Sequence, residues 1–487
     1  MISKRMIGWI ALAALAGCQA APKTSTRIGQ HSAGSVPPAN RAVSTTAAGS
    51  TSSAEWSAGV PEGRSAPRHP TLAGHPVAYQ GQGASVPEDT EAVPGAADGS
   101  LSLAEAEEMA LQGNPALAVA AARIDAARGN WVQVGLKPNP TIGYSGQQLG
   151  SGGEAEQQGA FVGQEFITGG KLGLNREIAA WEVRRAENEW EAFRLRVLTD
   201  VRVAFYEVLV AQRRRELTTE LVRISDQAVK AAQALFEGEE VSEADPLRAR
   251  VEADTARILL QNAINEHVAA WRRLAALVGA PEMELRRVAG ELHPDAMELT
   301  WEESLARLLE ESPELAAAQA DVEAAHWAVE RAYAQVIPDV DVQAVVQDDR
   351  STGSSNANLQ ITLPLPLWNR NQGGIQRAFA QAVAAEMAVD RLRLDLQSRL
   401  AAAFQRYRTA HNQVREYSKP GGIIANSQRT LELIRSGYQA EEFGILDLLT
   451  AQRTFFQTNL AYLDALRELA AATMEIRGLL LRGSLSE

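Results

Sequence analysis

The chain has 487 residues, with 60 acidic against 47 basic side chains, a formal charge of −13 and one cysteine. That balance argues against a nucleic-acid partner, because phosphate binding needs a basic patch. A lone cysteine excludes an intrachain disulfide framework.

Lys4 and Arg5 precede the apolar run 7–16. The run is shorter than the roughly 20 residues that span a bilayer, so it reads as a secretory signal. It ends in Leu15-Ala16-Gly17-Cys18, which resembles a bacterial lipobox; Cys18 would become the first mature residue and carry the lipid. Gln19 stands where an Asp would resemble an inner-membrane retention signal, which favours the outer membrane. Residues 1–18 are thus expected to be a lipoprotein signal peptide. Residues 19–99, rich in Ala, Gly, Ser, Thr and Pro without hydrophobic periodicity, read as a disordered tether. No later segment holds 18 uninterrupted apolar residues. Any crossing of the outer membrane must then use strands.

The remaining body is too long for one core, and it carries an internal repeat. Leu101-Ser102-Leu103 matches Leu299-Thr300-Trp301, Asn114-Pro115 matches Ser312-Pro313, and Pro140 matches Pro338, all at one offset of 198. Asp245 and Asp447 match at an offset of 202. Two copies are expected, 100–298 and 299–487.

Each copy holds long stretches without Gly or Pro: 174–237, 247–278, 375–419 and 445–477. The first predicts a helix of about 100 Å at about 1.5 Å per residue. Trp190, Phe193, Val197, Val201, Phe205 and Val208 recur at spacings of three and four, a stripe that must pack on other helices. Between the helices, residues 339–346 alternate apolar with polar, with Val345 the exception, and 359–363 do the same. Weaker counterparts lie at 141–148 and 160–167, and Gly/Ser-rich turns divide each pair of strands. Such segments have the alternation of membrane-barrel strands, although a soluble hairpin packed on the helices has the same periodicity. Four strands cannot close a membrane barrel, and open edges in lipid are prohibitive, so the strands would be shared among chains.

These features resemble the TolC family of outer-membrane efflux proteins over about 101–482. The carrying residues are Leu103-x-x-Ala106 leading to Asn114-Pro115, Ala126-Ala127-Arg128 and Pro138-Asn139-Pro140. The runs 164–171 (Gln-Glu-Phe-Ile-Thr-Gly-Gly-Lys) and 363–373 (Leu-Pro-Leu-Pro-Leu-Trp-Asn-Arg-Asn-Gln-Gly) resemble the CzcC-like branch linked to heavy-metal efflux. The resemblance implies a mostly helical fold with a small β part. It would be a homotrimer, its twelve strands forming one barrel in the outer-membrane lipid, continued into the periplasm by a coiled-coil tunnel. Its helical tips would meet a periplasmic adaptor and an inner-membrane pump. The tips map to the breaks at 238–245 and 440–447, where Val241, Ser242 and Asp245 fit the family's tip pattern, as do Phe443, Gly444 and Asp447. Asp447 resembles the family's pore-narrowing aspartate, and three copies around an axis would favour cations. A plain helix-start role is the alternative for it. Asp245 precedes Pro246, which also reads as an N-cap before a first-position proline. Thr450 stands where some relatives carry a second acid. The break at 419–422 reads as part of a belt around the tunnel or as a plain loop.

No enzyme is expected. The seven histidines show no metal-ligand spacing, and Gly169-Gly170-Lys171 lacks the spacing of a phosphate loop. No cofactor is implied. The expected function is the exit duct of a tripartite efflux system, for heavy-metal cations. Drug, small-molecule or polypeptide export is the alternative within the family, and a pore-less periplasmic coiled-coil lipoprotein the alternative outside it.

Overall fold

The computed structural model describes residues 99–150, 155–292, 298–440 and 442–485. The expected signal, Cys18 and nearly all of the 19–99 tether lie outside them. The elements run α1 (Leu103–Gly113), α2 (Pro115–Gln133), β1 (Thr141–Leu149), β2 (Ala155–Phe166), α3 (Lys171–Glu237), α4 (Ala244–Leu277), α5 (Trp301–Glu311), α6 (Pro313–Ala334), β3 (Val340–Asp349), β4 (Ser354–Thr362), α7 (Gln372–Ser418), α8 (Ile423–Gln439) and α9 (Ile445–Arg477).

Side-chain caps start the short helices. The Ser102 and Thr300 hydroxyls accept the N–H of Glu105 and Glu303, and Asn114 and Ser312 do the same for Ala116 and Leu315. Pro115 and Pro313 occupy the first turns, where a missing N–H costs nothing. With no internal breaker before Gly238 apart from Gly173 in its first turn, α3 runs for 67 residues, about 100 Å. Its stripe is buried from Val197 to Val208, while Trp190 and Phe193 are half-buried. Val197, Val201, Phe205 and Val208 pack with Trp271 and Leu274 of α4 and with Ala106 and Ala110 of α1. A second core joins Leu315 of α6, Leu396, Leu400 and Tyr407 of α7, and Leu469 and Ile476 of α9. The chain end closes over it through Leu479, Leu480 and Leu481.

The strands form one antiparallel sheet in the order β1-β2-β3-β4, so among the described residues β1 and β4 are open edges. Val340, Val342, Ala344 and Val346 share one face of β3, and Asp341, Gln343, Val345, Gln347 and Asp349 share the other. Phe161 stands opposite Val345 on the polar face, which accounts for the break in alternation. The apolar face is bare, with Ile142 85%, Leu359 70% and Ile361 64% exposed. Among the described residues no helix is long and apolar enough to cross a membrane.

The strands differ from the sequence reading at their ends. β2 starts at Ala155 rather than 160, because Gln157 is held by Gln347 and Asp349 across the sheet. β4 starts at Ser354, inside the expected turn, and ends at Thr362. Leu363 falls past its end, immediately before Pro364, which has no N–H to give to a ladder.

A buried ion pair ties the two hairpins together where they meet the helices. Lys171, 2% exposed at the start of α3, donates to Asp339 at 2.8 Å. Asp339 also accepts the Thr168 N–H at 2.7 Å. Burial raises the Asp339 pKa, but the bonds from Lys171 and Thr168 outweigh it and the net shift is downward.

Candidate functional site

The breaks at 238–245 and 440–447 are both helical hairpin tips. At the first, α3 ends in Gly238, whose N–H bonds back to Ala234, and Glu239 takes a left-handed φ of 59°. Val241 is half-buried and Ser242 exposed. The N–H of Asp245 already bonds the Ser242 carbonyl at 3.0 Å, so α4 begins at Ala244 with Glu243 before it. Asp245 is therefore a first-turn residue and not the cap expected from Pro246. Its carboxylate, 19% exposed, pairs with Arg248 at 3.3 Å and offsets the helix dipole.

At the second tip, α8 ends at Gln439 and Gly444 caps α9. Phe443 and Gly444 are exposed, as is Leu446. Asp447 is exposed too, and its Oδ2 accepts the Gly444 N–H at 3.2 Å. One carboxylate thus satisfies an orphan donor of its own helix while keeping its charge in solvent. The helix-start role and a pore-lining role are compatible in this geometry. Thr450 is also exposed.

Two residues at this tip escaped the sequence reading. A Cβ on Gly437 would lie 2.3 Å from Phe443 Cδ2, so glycine here gives the Phe443 ring its seat. Its sequence signal is a glycine late in a helix, a position that costs about 1 kcal/mol relative to alanine. Tyr438, 6% exposed, has no hydrogen-bond partner for its hydroxyl among the described residues. Burial, and then the negative charge of Asp245, holds its pKa above the ordinary value. The Asp245 charge on α4 is thus felt at Tyr438 on α8, across the two tips.

One apolar cluster fastens the tips to each other. It joins Ala228 and Ala232 of α3, Ala249 of α4, Leu431 and Tyr438 of α8, and Ile445, Leu448 and Leu449 of α9. An Arg453–Glu252 ion pair adds a link between α9 and α4. The tip residues named from sequence are therefore the ends of one packed four-helix unit. Among the described residues no group of three or more His, Cys, Asp or Glu is placed to hold a metal.

The sequence pattern of outer membrane efflux proteins matches residues 107–280 and 305–480, and the chain belongs to that family. It is similar to the cobalt-zinc-cadmium resistance protein CzcC of Cupriavidus metallidurans, 26% identical over 384 residues, covering 79% of this chain and 90% of the relative. The nickel and cobalt resistance protein CnrC of the same organism is 27% identical over 300 residues, covering 61% of this chain and 71% of the relative. Among solved structures, the outer-membrane channel OprN superposes with a TM-score of 0.66 at 20% identity, covering 78% of this chain and 90% of the other. CusC superposes with a TM-score of 0.64 at 17% identity, covering 78% and 92%.

Proposed function

We propose that this member of the outer membrane efflux family is the exit duct of a tripartite system that exports heavy-metal cations. In this reading three chains share one twelve-stranded barrel in the outer membrane. Their long helices form a periplasmic tunnel, and the tips at 238–245 and 440–447 meet a periplasmic adaptor and an inner-membrane pump. The observation that carries the reading is the sheet: among the described residues, four strands with both edges unpaired and the apolar face bare. Unpaired edges have no place in lipid unless other strands cover them. That same face disfavours a pore-less coiled-coil scaffold, which has no use for a bare apolar sheet.

The duplication into 100–298 and 299–487 supports the same reading, since two hairpins on two helical pairs give six similar sectors in a trimer. Cys18 is assigned as the lipid attachment site, anchoring the chain through the 19–99 tether. Asp447 is assigned to the pore, with Val241, Ser242, Asp245, Phe443 and Gly444 at the docking tips. The cargo assignment rests on the resistance proteins that the chain resembles. Cellular cobalt, zinc, cadmium and nickel, measured with and without this gene beside its pump and adaptor, test it. Accumulation on loss of the gene is expected; unchanged metal with a raised level of an organic drug would move the cargo to another class.

A further inference from the structure

We propose that the open edges of the sheet close on a second copy of this chain in one register: Leu363, Leu365 and Leu367 of one copy opposite Gly146, Tyr144 and Ile142 of the next. The inference rests on the reading that several chains share one barrel, and it adds the seam between them. The register comes from the two halves of the chain. Pro140 and Pro338, which lead into β1 and β3, differ by 198 in number. Gly170 and Asn371, the left-handed residues at φ 68° and 55° that start α3 and α7, differ by 201. These two shifts carry Gly143 opposite Phe161 onto Asp341 opposite Thr362, a pair the sheet contains. Entry to the strands, exit from them and their pairing therefore agree on one correspondence. At the β2–β3 seam Phe166 faces Val340 and Gln164 faces Val342. The same shifts turn these pairs into Leu367 with Ile142 and Leu365 with Tyr144.

The backbone phase is compatible with this register and excludes any register shifted from it by one residue. Across the β2–β3 seam the Arg350 N–H donates to the Glu156 carbonyl at 2.9 Å. In antiparallel pairing, alternate residues turn their backbone groups to alternate neighbours. Even-numbered residues of β4 then bond β3, and odd-numbered ones face the open edge. Beyond Thr362 this phase turns the missing N–H of Pro364 and Pro366 toward β3, where pairing has already ended. Leu363, Leu365 and Leu367 carry the N–H groups on the open-edge side; in the single chain the Leu367 N–H bonds the Leu365 carbonyl at 2.9 Å, a contact the seam would replace. On β1 the even-numbered Ile142, Tyr144 and Gly146 face its own open edge. The three leucines, 47%, 68% and 59% exposed, also follow the parity of Leu359 and Ile361 and so extend the apolar face. A run of alternating prolines that looks unfit for a strand is in phase to be one, given a partner on one side only.

The rival is a flush register with Thr362 opposite Thr141, which leaves the leucines outside the sheet. Cysteine pairs in the full chain, oxidised with copper phenanthroline in isolated outer membranes, decide between them. Gln147→Cys with Thr362→Cys falls on the polar face of the proposed seam. It is a non-hydrogen-bonded pair with Cα atoms about 4.5 Å apart, within disulfide reach. It is expected to shift monomer into linked dimer and trimer on non-reducing gels. Thr141→Cys with Thr362→Cys, and Ser145→Cys with Thr362→Cys, are expected to stay monomeric. Dominant linkage in either of those pairs overturns the register. No linkage in any pair, with a chain that still conducts in bilayers, also overturns the register but leaves the duct standing; loss of both removes the shared barrel as well.

Discussion

Asp339→Ala is expected to be among the most destabilising single changes near the sheet. It leaves the Lys171 ammonium, 2% exposed, without its carboxylate, and strips the Thr168 N–H of its acceptor. Removing one partner of a buried pair costs about 3–5 kcal/mol. Asp339 is itself 23% exposed, so water screens part of the pair and a loss of about 3 kcal/mol is expected. Lys171→Met keeps the buried stem and removes the charge, for about 1–2 kcal/mol, because the carboxylate keeps Thr168 and some water. The double variant should cost less than the two losses together, with a coupling of about 2 kcal/mol. Guanidinium unfolding in detergent, followed by the helical circular dichroism, gives all four corners of the cycle. The pH dependence has a definite sign. The folded pKa of Asp339 lies below its ordinary value, so its contribution is fully present above about pH 4 and fades as pH falls through the folded pKa. Losses that add to within about 0.5 kcal/mol, or a coupling that persists at the acid end, would refute the ion-pair account.

Asp447→Asn removes the charge but keeps an acceptor for the Gly444 N–H, so it should lower cation preference and raise conductance without loosening the helix start; unchanged selectivity takes Asp447 out of the pore. Asp447→Ala should do the same and also cost about 0.5–2 kcal/mol of local stability. Gly437→Ala should push the Phe443 ring from its seat and reduce metal resistance at unchanged outer-membrane protein levels; full resistance would mean that Phe443 does not dock a partner. Ile361→Lys should cost about 2–4 kcal/mol if that face meets lipid, while Gln360→Lys is tolerated. Equal tolerance at the two positions would place the sheet elsewhere.

The long helices were legible because their limits are set by local chemistry. α9 spans 445–477, the breaker-free interval itself, and Gly444 stands at its start. The buried stripe through Val197, Val201 and Phe205 follows from helical period alone. β3 was legible from alternation, but the start of β2 was not. Gln157 and Gln158 put polar side chains on both faces there, and only cross-strand partners such as Gln347 and Tyr144 reveal the strand. Asp245 misled for a local reason: Pro246 suggested a first-position proline, yet the Ser242 carbonyl captures the Asp245 N–H and starts the helix earlier. Lys171 and Asp339 lie 168 positions apart, and nothing in their spacing announces a pair. The seat that Gly437 makes for Phe443 is likewise a property of the folded tip between α8 and α9 and has no signal in the spacing of the two residues.

The central claim is that copies of this chain enclose a continuous conduit. Recording current across a planar bilayer after adding the purified full chain tests it most directly. Discrete, long-lived conductance steps with a preference for cations over anions are the predicted result. A folded chain that inserts and oligomerises in that bilayer yet passes no current would contradict the account.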